Sequence, residues 1–271
     1  MREILGRILA VAGKEARLAA SYRLGFLMNL SGVLLGVAVF HFLSTMIGGS
    51  VLPRLAAYGG EYFPFVLVGV AFQSYLRLSM DSMASSIRNE QMLGTLEAVI
   101  ATPTSLTVFA AGSALWQFAF ATYRVLVYLG SGILFFGMST AGIAPLTALL
   151  VLVLSIAAFA GMGVVSGSII LVHKQGNPVG WLYGGAATLL SGVYYPVSVL
   201  PGWLRPLSWC FPLTHSLEAM RQAVINRASP ADVSAQLLVL AGFATVSVPL
   251  AVISFRWALR RIRSDGTLGT Y

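Results

Sequence analysis

Residues 88–103, Arg88-Asn89-Glu90-Gln91-Met92-Leu93-Gly94-Thr95-Leu96-Glu97-Ala98-Val99-Ile100-Ala101-Thr102-Pro103, interrupt a long run of apolar sequence. The stretch is too polar to cross a bilayer, yet Leu93, Leu96 and Ile100 recur at i, i+3 and i+7, with Glu90 and Glu97 on another face. This pattern predicts a short amphipathic helix closed by Pro103, which disfavours helix in the residue before it. Apolar segments of membrane-spanning length flank it. The helix is therefore expected at the membrane edge, offering an apolar ridge and two carboxylates to something outside the lipid.

The flanking sequence supports that placement. Of 271 residues, 57% are hydrophobic and only 10% charged, against roughly 25% charged in soluble domains. The fold class expected is an all-α membrane protein with six transmembrane helices at 24–46, 63–87, 114–137, 143–172, 178–200 and 237–257, each long enough for a hydrocarbon core ~30 Å thick. Apolar sequence before residue 114 is read as a short interfacial piece, and Pro249 as a kink in the last span. Residues 1–22 form an interfacial amphipathic helix, with Glu3, Arg7, Lys14 and Arg17 on one stripe and Leu5, Ile8, Leu9, Ala12 and Ala16 on another. Residues 201–232 hold two apolar pieces too short to cross, punctuated by Pro206 and Pro212, and are read as outer re-entrant helices. The whole chain is one transmembrane domain.

Charge sets the orientation. With the N-terminus inside, the inner face receives Arg2, Arg7, Lys14, Arg17, Arg23, Arg88, Lys174, Arg256, Arg260, Arg261 and Arg263, and the outer face only Arg54, Arg205, Arg221 and Arg227. Both termini and the stretch 88–103 are expected in the cytoplasm of a multi-pass protein of the inner (plasma) membrane. The net charge of +8 belongs to these span ends. No basic stripe interleaved with aromatics suggests nucleic acid, and no secretory signal is read at the N-terminus.

Chemistry-bearing residues are few. One cysteine, Cys210, and three distant histidines, His41, His173 and His215, offer no metal-ligand spacing. Within the spans, Arg77 and Asp81 at i, i+4 either neutralise each other or serve transport, and Arg124 either faces a polar cavity or snorkels to an interface. His41 is read as a hydrogen-bonded packing residue, and His215, Glu218 and Arg221 as a polar helix face rather than a catalytic group. Small-residue pairs at Gly32 and Gly36, Gly163 and Gly167, and Gly180 and Gly184 permit close helix approach, within the chain or between subunits. There is no Gly-x-x-x-x-Gly-Lys-Ser/Thr loop. Energy for any pump must then come from another chain.

Several of these segments together resemble the ABC type-2 exporter permeases, in the drug, antibiotic or lipo-oligosaccharide branch. The resemblance rests on Gly94-Thr95-Leu96-Glu97 followed by Thr102-Pro103-Thr104-Ser105, and on the outer segment Tyr195-Pro196-Val197-Ser198-Val199-Leu200-Pro201-Gly202-Trp203-Leu204 with Pro212-Leu213-Thr214-His215. It implies a transport subunit, not an enzyme, paired with a second permease subunit, usually identical, and with two copies of a cytoplasmic ABC ATPase. No cofactor is expected on this chain, ATP and Mg belonging to the ATPase. The resemblance makes 88–103 a coupling helix, with Arg88, Glu90, Met92, Leu93, Gly94, Thr95, Leu96, Glu97 and Ile100 as its contacts. It places an outer gate at Tyr194, Tyr195, Pro196, Pro201 and Trp203, and a path between spans two and five for an apolar or amphipathic substrate such as a drug, lipid or lipid-linked glycan. Phe72, Tyr75 and Tyr183 are expected to line it. The alternatives are a stand-alone carrier or channel, against which the shortage of acids in the spans weighs, and an intramembrane enzyme or scaffold.

Overall fold

A computed structural model describes residues 2–47, 53–92, 106–139, 142–173 and 178–264. All regular structure among them is helical. The helices are α1 (Arg2–Ser21), α2 (Arg23–Ile47), α3 (Tyr62–Met92), α4 (Leu106–Phe136), α5 (Pro145–His173), α6 (Pro178–Leu190), α7 (Arg205–Ser208), α8 (Pro212–Ile225) and α9 (Ser234–Ser264). Short 3₁₀ helices occupy Pro53–Tyr58 and Val197–Val199. Five of these helices, α2, α3, α4, α5 and α9, are long and apolar enough to cross a membrane, so the chain is a multi-pass membrane protein.

Three expected boundaries move. No breaker separates residue 106 from Gly137, so α4 is one unbroken helix of 31 residues rather than an interfacial piece followed by a span. The second span runs on through Arg88 and Glu90 to Met92, which makes the start of the polar stretch a continuation of α3. Residues 93–105, with Leu93, Gly94, Thr95, Leu96, Glu97 and Ile100, lie outside the described residues. The fifth apolar segment is helical only over Pro178–Leu190, 13 residues, about 20 Å of helix. Gly192, at φ +79°, then takes a left-handed turn that a side chain would resist. The chain leaves the helix ten residues before the expected end.

Helix association inside a bilayer gains little from apolar burial itself, because lipid tails are as apolar as leucine; close packing and interhelical hydrogen bonds decide it. Both are visible. Gly163 of α5 lies against the Ser79 carbonyl of α3, and Ser79 Oγ donates to the Phe159 carbonyl at 2.6 Å. Gly161 seats the Ser247 side chain of α9. Tyr75, 1% exposed, anchors the centre, ringed by Phe72, Phe118 and Phe159. On the periphery, α2 buries only Val33 and Val37, and Gly32 and Gly36 have no heavy atom within 4 Å of a would-be Cβ. Helix α1 packs across α4, where Gly112 admits Ile8 and Val11 and Lys14 Nζ stands 5.6 Å from the Phe109 ring. Leu5 and Leu9, from the expected apolar stripe, stay exposed on its other side.

Gly163→Ala should lower thermal stability in detergent by about 1–3 kcal/mol through overpacking against Ser79. Gly130→Ala, at a site open to 4 Å, should change it by less than about 0.5 kcal/mol; equal melting temperatures for the two would refute the close α3–α5 contact.

Candidate functional site

Helices α3 and α6 face each other across an open groove of about 570 Å³, within the range of roughly 300–1,000 Å³ found for ligand sites. One wall is the α3 face Gln73, Arg77 and Asp81, at i, i+4 and i+8, with Leu76 and Met80 beside them. The facing wall is Trp181, Gly184, Gly185 and Thr188 of α6. The glycines leave room: a Cβ at Gly184 or Gly185 would meet nothing within 4 Å.

A hydrogen-bonded chain spans the groove. Tyr194 Oη donates to Gln73 Oε1 at 3.2 Å, Gln73 Nε2 donates to Thr188 Oγ1 at 3.0 Å, and Thr188 Oγ1 donates to the Gly184 carbonyl at 2.7 Å. Uncharged polar groups thus mark the end of the groove beside Tyr194. Arg77 and Asp81 mark the other end, one to two turns further along α3.

Of the residues expected to line a path, Phe72 and Tyr75 are instead core, each 1% exposed, and Tyr75 Oη contacts the Phe118 carbonyl and Thr122 Oγ1. Tyr183 points toward α5, its Oη 3.5 Å from Met162 Sδ and its ring against Phe211. The reason is rotational. On α6, Tyr183 lies two residues from Trp181 and so on a different face, while on α3 Phe72 and Tyr75 point away from the side shared by Gln73 and Arg77. Gln73, Thr188 and Trp181 take the places assigned to the aromatics; the signal for Gln73 was its i, i+4 relation to Arg77.

The expected outer-gate residues lie in the connection between α6 and α7, which meets the groove wall at Tyr194. Tyr194 also stacks on Phe40 of α2, Tyr195 Oη donates to the Leu189 carbonyl at 2.6 Å, and Pro196 precedes the 3₁₀ turn. The Pro201 carbonyl accepts from the amide of Leu204, whereas Trp203 is 73% exposed, as a residue of the aromatic belt would be. Arg124 is half-buried, and its Nε has no hydrogen-bond partner. His41 is held by ring contacts with Phe63 and Phe136 rather than by the expected hydrogen bond.

Helix α8 is where sequence reasoning missed most. It opens with Pro212 after an extended Phe211 and buries nearly every side chain against α3, α5 and α9. His215, Glu218 and Arg221 are not one exposed polar face: each bonds a different element. The His215 Nε2 lies 3.0 Å from the Trp209 carbonyl, and Glu218 accepts from Tyr58 Oη at 2.6 Å. Burial, and then that bond, push the Tyr58 phenol well above its usual range. Arg221, 2% exposed, donates through Nε to the Phe65 carbonyl and through Nη2 to the Val193 carbonyl, both at 3.1 Å. Its guanidinium carbon stands 3.4 Å from the Phe65 ring centroid, so cation–π stacking supplements the two bonds.

The chain matches the family model of the ABC-2 type transporter over residues 10–225, and it belongs to that family of membrane permeases. It is also similar to proteins named "Probable multidrug ABC transporter permease YbhR" from Escherichia coli strain K12 and from Escherichia coli O157:H7. Each is 26% identical over 144 residues, which cover 53% of this chain and 39% of the relative.

Tyr58→Phe should cost about 0.5–1.5 kcal/mol of stability, the net worth of one hydrogen bond, with α8 becoming more susceptible to limited proteolysis. A variant as stable and as protected as the native chain would show that the Tyr58–Glu218 bond does not hold α8.

Proposed function

We propose that this chain is the membrane subunit of an ATP-driven exporter and that the α3–α6 groove is its substrate path. The observation that carries this reading is the groove itself. It opens between the second and fifth apolar segments and is lined by Leu76, Met80, Trp181 and Leu189 together with the polar Gln73 and Thr188 and the charged Arg77 and Asp81. Such a lining suits an apolar or amphipathic molecule such as a drug, a lipid or a lipid-linked glycan, whose polar part meets Arg77 and Asp81 at the inner end. On this reading α6 and its following loop make the sixth crossing, both termini lie in the cytoplasm of the plasma membrane, and the α7–α8 segment lies on the outer side.

The energy comes from two copies of a separate ATPase, which also hold ATP and Mg. The sequence 88–103 begins as the cytoplasmic end of α3, so a push on its far part would pass directly into the helix that forms one groove wall. Arg88, Glu90 and Met92 stand on that helix, and Leu93, Gly94, Thr95, Leu96, Glu97 and Ile100 follow it. A second copy of the chain is the proposed partner of the open face at Gly32 and Gly36 of α2.

Two substitutions separate path from coupling. Gly185→Trp fills the groove and should reduce ATP-dependent efflux of a lipophilic dye at least about tenfold, as loss of roughly 1.4 kcal/mol of binding would, while the ATPase still co-purifies. Leu96→Asp should abolish co-purification of the ATPase in well-inserted protein. Normal efflux in the first variant, or normal assembly and ATPase activity in the second, would overturn the corresponding assignment.

A further inference from the structure

We infer that Arg221, far from the groove in sequence and not part of its wall, is the positioning residue for the groove's hydrogen-bonding group, Gln73. This rests on the reading of the groove as the substrate path.

Arg221 makes its two hydrogen bonds to different elements, the first turn of α3 at Phe65 and the loop after α6 at Val193. The loop comes near enough only because residue 69 is glycine: a Cβ there would collide with the Val193 carbonyl and lie 2.9 Å from Arg221 Nη2. The next residue after Val193 is Tyr194, whose hydroxyl donates to Gln73 Oε1. That bond fixes which way the amide points. With its oxygen engaged, Gln73 presents Nε2 to Thr188. The path from a buried cation on the outer helix to the groove wall is therefore continuous: Arg221, Val193, Tyr194, Gln73, Thr188.

The Phe40 ring stacks on Tyr194 and the Val193 side chain is buried; the Arg221 bond adds a polar anchor at the backbone carbonyl just before Tyr194. Gly192 gives it a left-handed turn but no anchor, and the other hydroxyl, of Tyr195, turns back to Leu189 on α6 itself. Releasing the Val193 carbonyl would let Tyr194 withdraw, free the Gln73 amide to rotate, and change which polar groups a bound molecule meets. Arg221 thus tunes substrate recognition without touching the substrate. A lysine there keeps the charge but loses the planar fork that reaches two carbonyls at once.

The test is a double-mutant cycle on the full chain in nanodiscs, pairing Arg221→Lys with Gln73→Leu and reading the melting temperature. Because the two side chains do not touch, independent roles give additive shifts. The inference predicts that the double variant loses clearly less than the sum, and that adding Tyr194→Phe removes the non-additivity; additive shifts would overturn it. Gly69→Ala, which presses on the same carbonyl, replaces Arg221→Lys in the cycle if that variant does not insert. The second readout is ATPase activity of the assembled complex stimulated by rhodamine 6G. Arg221→Lys and Tyr194→Phe should each raise the apparent KM for the dye about three- to tenfold, a change of that size being one modest hydrogen bond, with kcat within about twofold. A fall in kcat at constant KM would mark Arg221 as a structural anchor only and overturn the inference. Absence of dye stimulation in the native complex counts against the transport reading alone, and the melting-temperature cycle then decides the role of Arg221.

Discussion

A guanidinium cannot shed its charge in a protein, so burying Arg221 obliges the surrounding chain to supply acceptors and ring faces. Much of the packing around α8 follows from that obligation. The Phe65 carbonyl and ring come from α3, the Val193 carbonyl from the loop that ends α6, and Tyr58, bonded to Glu218 one turn earlier on α8, closes the other side. Removing one partner of such an arrangement is costly because the charge stays behind uncompensated. The constraint therefore fixes α8 against α3, requires glycine at position 69, and dictates where the chain must turn after Leu190.

The same turn shapes the groove. Because α6 stops after 13 residues, its loop folds back to the α3 face and delivers Tyr194 to Gln73, while Trp181, Gly184 and Gly185 border the groove from α6. Interhelical glycine and serine contacts hold α3 against α5 from behind. One side of α3 is thus locked in the core while the other borders open space. On the proposed function, a helix so placed relays a displacement of its Met92 end to the groove when α5 moves with it.

Much of this was legible in the sequence because hydropathy and charge act residue by residue. The apolar lengths revealed all five long helices, the amphipathic stripes revealed α1, and the absence of metal-ligand and phosphate-loop patterns directed attention to transport. Rotation about a helix axis was less legible: a strongly apolar span has almost no polar face by which to orient it, so Phe72 and Tyr75, which are buried in the core, could not be told from residues that border the groove. The early end of α6 was hidden because Ser191-Gly192-Val193 is as apolar in composition as the helix before it. Arg221 was misassigned for a related reason. Its charge was counted as an outer-loop charge, and its acceptors are backbone carbonyls more than 25 residues distant in sequence, which no local pattern announces.

On the proposed function, the α3–α6 groove is open to the cytoplasmic side before ATP acts and to the outer side after it. This alternation is tested most directly with cysteine placed at Gly184 in a Cys210→Ser chain, assembled with its ATPase in oriented vesicles and treated with a membrane-impermeant maleimide. Labelling from the cytoplasmic side without nucleotide, replaced by labelling from the outer side after vanadate trapping of ATP, is the predicted result. Labelling from one and the same side in both states would contradict it.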